Sequence, residues 1–230
     1  MSPPQESVRY ERKLLPLGIP PDQVLVLIQQ HPAGFREAYP PRYVNSVYLD
    51  TPALGDFHDH VAGLPRRSKT RIRWYGPLLA AIPTPSLERK QKAGHVAWKE
   101  SHPVPPLTIN GPGWATSIRT YIGQAHLPEP IRPAVRLRQP VLLTRYLRRY
   151  FISSDRRFRL TMDTDLKFDT VTRRSNHAGL IPSPIPVILE LKFPPAAAPD
   201  ADRITNAFPF RIARCSKYIL GLKLAFFDSD

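Results

Sequence analysis

The chain has 230 residues, 42% hydrophobic and 10% aromatic, enough for a buried core and too apolar for a disordered segment. Lysine and arginine total 33 against 19 acidic residues, a net charge of +14 that points to a polyanionic partner: nucleic acid, an anionic membrane surface or a phosphorylated small molecule. A single cysteine, Cys215, excludes an internal disulfide framework and a cysteine-rich zinc site and fits a reducing, cytoplasmic compartment. No apolar run opens the chain, so no signal peptide is expected, and the longest apolar stretch, 24–28, is far short of the roughly 20 residues of a membrane helix. The chain reads as soluble.

Short runs of period-two patterning predict strands. The first covers 8–14. Pro20-Pro21 then precede a helix over 22–30, with Val24, Leu25 and Ile28 at helical spacing. Strands follow over 43–50, 68–75 and 87–92. A helix over 114–126 has Ile118, Tyr121 and Ile122 on one side, and strands return over 135–143, 146–153, 156–168 and 187–193. A helix over 216–227 closes the series. Twenty-eight prolines are about twice the usual share of roughly 5%. Their clusters at 20–21, 40–41, 83–85, 103–106, 182–186 and 194–199 are expected to mark connections. With no repeat and no long linker, one domain spanning 1–230 is the simplest organisation.

Residues two apart on a strand share a face. Glu11 and Lys13 do so, as do Arg71 and Arg73, Glu88 and Lys90, Glu190 and Lys192, and Arg157, Arg159, Thr161 and Asp163. The opposite faces are apolar, for instance Val187, Leu189, Leu191 and Phe193. An antiparallel sheet with a wet outer surface alternates in the same way. Recurrent Arg and Lys with one carboxylate beside them also suit a closed barrel with a charged interior, because facing cations repel unless an anion lies between them. A chain of phosphate groups is such an anion.

The motifs Tyr10-Glu11-Arg12-Lys13, Ser46-Val47-Tyr48-Leu49-Asp50-Thr51 and Thr70-Arg71-Ile72-Arg73-Trp74-Tyr75-Gly76 stand in order along the chain. Leu87-Glu88-Arg89-Lys90, Tyr146-Leu147-Arg148-Arg149-Tyr150-Phe151, Arg159-Leu160-Thr161-Met162-Asp163-Thr164-Asp165, Leu189-Glu190-Leu191-Lys192 and Cys215-Ser216-Lys217-Tyr218 follow. This succession resembles the VTC domain, the polyphosphate polymerase branch of the triphosphate tunnel metalloenzymes. The resemblance implies a mainly β fold: a closed eight-stranded antiparallel tunnel with helices outside. It implies phosphate ligands at Lys13, Arg71, Arg73, Lys90, Lys99, Arg148, Arg159, Lys192, Ser216 and Lys217. Glu190, Lys192, Arg71 and Arg73 would form the catalytic set. Mn²⁺ or Mg²⁺ would bind Glu190, helped by Glu88 and Glu11, and ATP would donate its γ-phosphoryl to a growing polyphosphate chain. The phosphate-sensing domain and membrane helices found with eukaryotic members have no counterpart here, and Arg149 and Tyr150 replace smaller residues, which would narrow the tunnel.

Arg suits phosphate through its rigid bidentate fork, Lys through a compact charge. Two other functions use the same residues: a triphosphatase cleaving tripolyphosphate or a nucleoside triphosphate, and a non-catalytic polyphosphate sensor. Nucleic acid is not expected, since it calls for cations along an exposed helix or loop rather than beside carboxylates on strands. Several residues have plain structural readings: Asp163 as a turn cap, Asp50-Thr51-Pro52 as a strand-ending turn, and Cys215 as packing. Trp74 and Trp98 read as core or tunnel-wall aromatics. His58 and His60 lack a third metal ligand at sensible spacing.

Overall fold

The period-two patterning becomes strands in a computed structural model, which describes residues 9–94, 96–109, 114–124, 127, 129, 131–170 and 180–226. In chain order these are β1 (Tyr10–Leu15), α1 (Pro21–Gln29), β2 (Arg36–Asp50), α2 (Gly55–Val61), β3 (Arg66–Tyr75), β4 (Ala80–Ile82), β5 (Ser86–Ala93), β6 (Val96–Pro103) and β7 (Leu107–Ile109). Then come α3 (Trp114–Gln124), α4 (Arg132–Arg136), β8 (Gln139–Ile152), β9 (Arg159–Thr170), β10 (Ile181–Pro182), β11 (Ile188–Phe193), α5 (Ala198–Asn206), β12 (Arg211–Ile212) and α6 (Lys217–Phe226). None of the described helices is long and apolar enough to cross a membrane.

Two compact units share the chain. The first comprises Met1–Tyr43, Tyr146–Leu166 and Pro182–Cys215. Its strands pair in the order β12, β1, β11, β9, β8. One face of these strands is apolar: Leu14, Leu160, Met162, Leu189, Leu191 and Phe193 are buried against Val24 and Ile28 of α1 and Ala201 and Ile204 of α5. Burial of each such side chain contributes about 1.5–3 kcal/mol, which sets the direction of every strand face.

The second unit comprises Val44–Arg145, Lys167–Ile181 and Ser216–Asp230. There the order is β8, β2, β3, β5, β6. Val47, Leu49, Ile72, Trp74, Leu87 and Leu143 pack beneath Trp114, Ile118 and Ile122 of α3 and Val135 of α4. The other face carries α6, and Gly221 explains how closely. A Cβ there would lie 2.5 Å from Phe168 Cδ1 and 2.8 Å from Leu142 Cδ2.

The pairing order ends at β12 and β6, and no described pairing joins them, so the expected closed eight-stranded barrel is corrected to an open ten-stranded antiparallel sheet flanked by helices. Charge alternation specifies which face is polar; closure depends on edge pairing, which alternation does not encode. Other boundaries also moved. The prolines at 40–41 lie inside β2, whose first half is exposed, where a missing N–H is tolerated. The strands expected over 135–143 and 146–153 are one strand, β8, preceded by α4. The cluster at 194–199 holds a short 3-10 turn and the start of α5, with Pro199 in its first turn, where proline fits. The ends of the helices expected over 114–126 and 216–227, at His126 and Phe227, lie outside the described residues.

Candidate functional site

In the second unit, antiparallel register aligns basic side chains in rows across β3, β5 and β6. Lys69 is opposite Lys90, and Lys90 is opposite Lys99; in the next row Arg71 is opposite Glu88, and Arg73 opposite Ser86. Glu88 is 6% exposed. Its Oε2 accepts hydrogen bonds from Arg71 Nε at 2.8 Å and Nη2 at 2.6 Å. Arg73 Nη1 lies 3.5 Å from Glu88, and Lys99 Nζ lies 3.3 Å from its Oε1. Burial pushes this carboxyl up, but Arg71, Arg73 and Lys99 together outweigh it and bring its pKa down to about 2. One carboxylate therefore serves three cations, and the lysine row beside it has like charges cross-strand, an arrangement that destabilises a sheet unless an anion intervenes.

Aromatic and hydroxyl groups hold these cations in place. Arg71 Nη1 donates to Tyr48 Oη at 3.1 Å. Tyr48 stacks on Tyr218 with ring centroids 4.9 Å apart. The Tyr218 hydroxyl donates to Asp50, which also accepts the backbone N–H groups of Thr51, Asp56 and Phe57 and so anchors the start of α2. Lys69 Nζ donates to Ser216 Oγ at 2.8 Å. Buried Ser46 Oγ and Arg73 Nε, cross-strand neighbours, have no hydrogen-bond partner among the described residues.

The first unit has its own charged face. Lys13 is opposite Glu190, Glu11 opposite Lys192, and Lys192 opposite Arg159. Glu190 is 7% exposed. It lies 2.6 Å from Lys192 Nζ and 3.9 Å from Lys13 Nζ, which is also 3.3 Å from Glu11 and donates to the Cys215 carbonyl at 2.8 Å. Burial lowers the Lys13 pKa, but Glu190 and Glu11 more than offset it, leaving the ammonium firmly charged. Arg148 forks onto Asp163 at 2.6 and 2.7 Å, and Asp163 is buried within β9. That corrects the reading of Asp163 as a turn cap: it is a strand residue that neutralises an arginine. Burial disfavours the Arg148 charge, and Asp163 overrides it, raising the pKa well above the ordinary value.

Ser216 and Lys217, half-buried, lie at the start of α6, while Lys90, Lys99 and Arg159 are exposed on their strands. Lys69, Tyr48 and Asp50 were missed as members of the charged face, although Lys69 shares parity with Arg71. Arg149 pairs with Glu37 at 3.6 Å, and Tyr150 accepts from Arg42. Trp74 is core, whereas Trp98 donates to Glu100 on the face opposite Lys99. His60 Nδ1 contacts the Asp56 carbonyl, and burial with Lys69 nearby depresses its pKa to about 4. Among the described residues no three His, Cys, Asp or Glu side chains come together as a metal cage. The carboxylates present suit an Mg²⁺-like ion only in its common substrate-borne form, one or two carboxylates plus phosphate oxygens. Glu190 and Glu11 share Lys13 between them, and Glu88 holds Arg71, Arg73 and Lys99, so each of these carboxylates is engaged by cations.

A Vibrio parahaemolyticus protein, a proposed adenylate cyclase, superposes with a TM-score of 0.53 at 11% identity, covering 94% of this chain and 99% of that one. A protein of Pyrococcus horikoshii OT3 gives a TM-score of 0.48 at 12% identity, covering 94% and 96%. At 11% identity the first likeness concerns fold alone. No curated protein sequence matches the chain significantly. The VTC domain family matches over residues 26–226. The chain therefore belongs to the VTC domain family.

Proposed function

We propose that this chain is a phosphoryl-transfer enzyme acting on phosphate chains, and specifically that it extends inorganic polyphosphate from ATP. The observation that carries this reading is the cross-strand row Lys69, Lys90 and Lys99 beside Arg71 and Arg73, where one buried carboxylate, Glu88, pairs with Arg71, Arg73 and Lys99 among the described residues. A polyanion is the ligand that relieves such a face, and family membership supplies the chemistry.

The side chains divide the work. Arg71 and Arg73 offer forks for phosphate oxygens; Lys90, Lys99, Ser216 and Lys217 add donors on the same unit. Lys13, Arg148, Arg159 and Lys192 do so on the other. Holding donor and acceptor phosphates in register and neutralising charge is most of what phosphoryl transfer requires of a protein. Between two phosphate chains the acceptor oxygen is already anionic, so no general base is needed. Mn²⁺ or Mg²⁺, held through Glu190 with Glu11, would supply charge neutralisation on the phosphates. A cytoplasmic setting, where ATP is abundant, belongs to the same proposal.

Glu190→Gln tests it. Turnover is expected to fall at least tenfold while polyphosphate binding is retained, because Gln keeps the shape and removes a ligand for the ion. Unchanged turnover in this variant removes Glu190 from the chemistry.

A further inference from the structure

A cavity lies among the helices of the second unit, lined by none of the lysines of that row. It has a volume of about 300 Å³ and is lined by Arg119, Ile122 and Gly123 of α3, Arg136 at the end of α4, and Arg138 and Gln139 leading into β8. Three of six lining residues are arginine and none is acidic.

Their hydrogen bonds show which are available. Arg138 is committed: it grips Asp56 with Nε at 2.8 Å and Nη2 at 2.9 Å, and donates through Nη1 to the Ala134 carbonyl. It forms one rigid, neutralised wall. Arg119 Nη2 donates to Gln139 Oε1 at 3.1 Å, which orients both side chains and leaves the Gln139 amide N–H groups and the remaining Arg119 donors for another acceptor. Arg136 makes no side-chain hydrogen bond or ion pair among the described residues. A further guanidinium, Arg89, stands close by. Its pKa is lowered first by burial and then by the charge of Arg138, and its Nε has no partner among the described residues. Ile122 gives the cavity an apolar side, and Gly123 leaves open space.

We propose that this cavity is a second anion site, which binds a small organic phosphate of nucleotide size. One oriented guanidinium, Arg119, a second one without a partner among the described residues, Arg136, and the Gln139 amide match a phosphate or diphosphate group, and Ile122 offers an apolar side for a flat ring. The volume is at the lower end for small-molecule sites, enough for a nucleoside diphosphate's ring or its phosphates but not for a long chain. The site does not depend on the phosphoryl-transfer reading, since none of its lining residues belongs to the strand face described above.

Hydrogen exchange read by mass spectrometry locates it. ADP and inorganic pyrophosphate are added separately to the protein, with adenosine as the uncharged control. Both phosphates are expected to slow exchange in the segments 117–124 and 133–140, with adenosine inactive. Arg119→Ala combined with Arg136→Ala is expected to weaken that local response about tenfold or more while leaving protection at β3 and β5 unchanged. Arg136→Gln alone, at an exposed helix end, is a milder variant that keeps the fold and is expected to weaken it in part. Protection confined to β3 and β5, or a helix response indifferent to both arginine variants, overturns the assignment. Loss of phosphate binding at β3 and β5 alone would count against the proposed function and not against this site.

Discussion

Glu88→Gln removes one negative charge and almost no volume, so its effect isolates electrostatics. The carboxylate is 6% exposed, and Arg71, Arg73 and Lys99 hold its pKa at about 2 against an ordinary 4.5. At roughly 1.36 kcal/mol per pH unit that depression corresponds to about 3 kcal/mol. The cations are themselves 22%, 11% and 42% exposed, so solvent screens part of it, and a loss of about 2–3 kcal/mol is expected. For a chain of this size that lowers Tm by roughly 4–12 °C. Because the folded-state pKa lies below the unfolded one, the contribution is complete above pH 4.5 and disappears as pH falls toward about 2. Thermal and urea denaturation of the wild type and the variant at neutral pH and across that acid range measures it. The variant should be less stable at neutral pH and lack this part of the acid loss. Added tripolyphosphate should stabilise the variant more than the wild type, since a bound anion replaces the missing charge. Equal stability at neutral pH, or equal stabilisation by the anion, refutes the reasoning.

Three further outcomes are expected. Asp163→Asn leaves the buried Arg148 charge without its bidentate partner and costs about 3–5 kcal/mol in urea denaturation, most of it recovered in the double variant Asp163→Leu, Arg148→Met. His31 is buried between Phe35 and Phe208, donates through Nε2 to the Ile204 carbonyl and accepts the Ala33 N–H at Nδ1, and burial lowers its pKa below 6.5. A folded-state pKa below the unfolded one means protons favour unfolding, so stability falls as pH drops below 6.5, and His31→Gln should flatten that limb of a pH-stability curve. Tyr218→Phe loses the bond to Asp50 and about 1–2 kcal/mol of stability while keeping the ring on Tyr48; Tyr218→Leu removes the stack that supports Arg71, and should lower kcat for phosphoryl transfer where Tyr218→Phe does not.

Where the sequence was informative, one face of an element had to be dry. Alternation located β1, β3, β5, β9 and β11 to within a few residues, because slipping any of them by one would expose Leu189, Leu191 or Ile72 and their neighbours to water. The strand β6 was overlooked: its sequence, VAWKESHP, is polar, half-exposed and ends in proline, so no apolar face announced it. The helix α5 was hidden for a related reason, since Pro195 and Pro199 read as loop although proline is welcome in a first turn. The charged positions Arg71, Arg73, Glu88, Glu190 and Lys192 could be read from parity and motif together. Their partners could not. That Glu88 faces three cations while Asp163 neutralises Arg148 depends on register between strands distant in sequence, and the contribution of Tyr218 depends on how α6 lies on the sheet through Gly221.

The central claim is tested most directly by incubating the purified protein with ATP and Mn²⁺ or Mg²⁺ and resolving the phosphate products on a gel. Ladders of long polyphosphate, absent from Arg71→Ala combined with Arg73→Ala, are the predicted result. Orthophosphate as the sole product would contradict the polymerase and favour a triphosphatase, and tight polyphosphate binding with no turnover under either metal would make the protein a sensor.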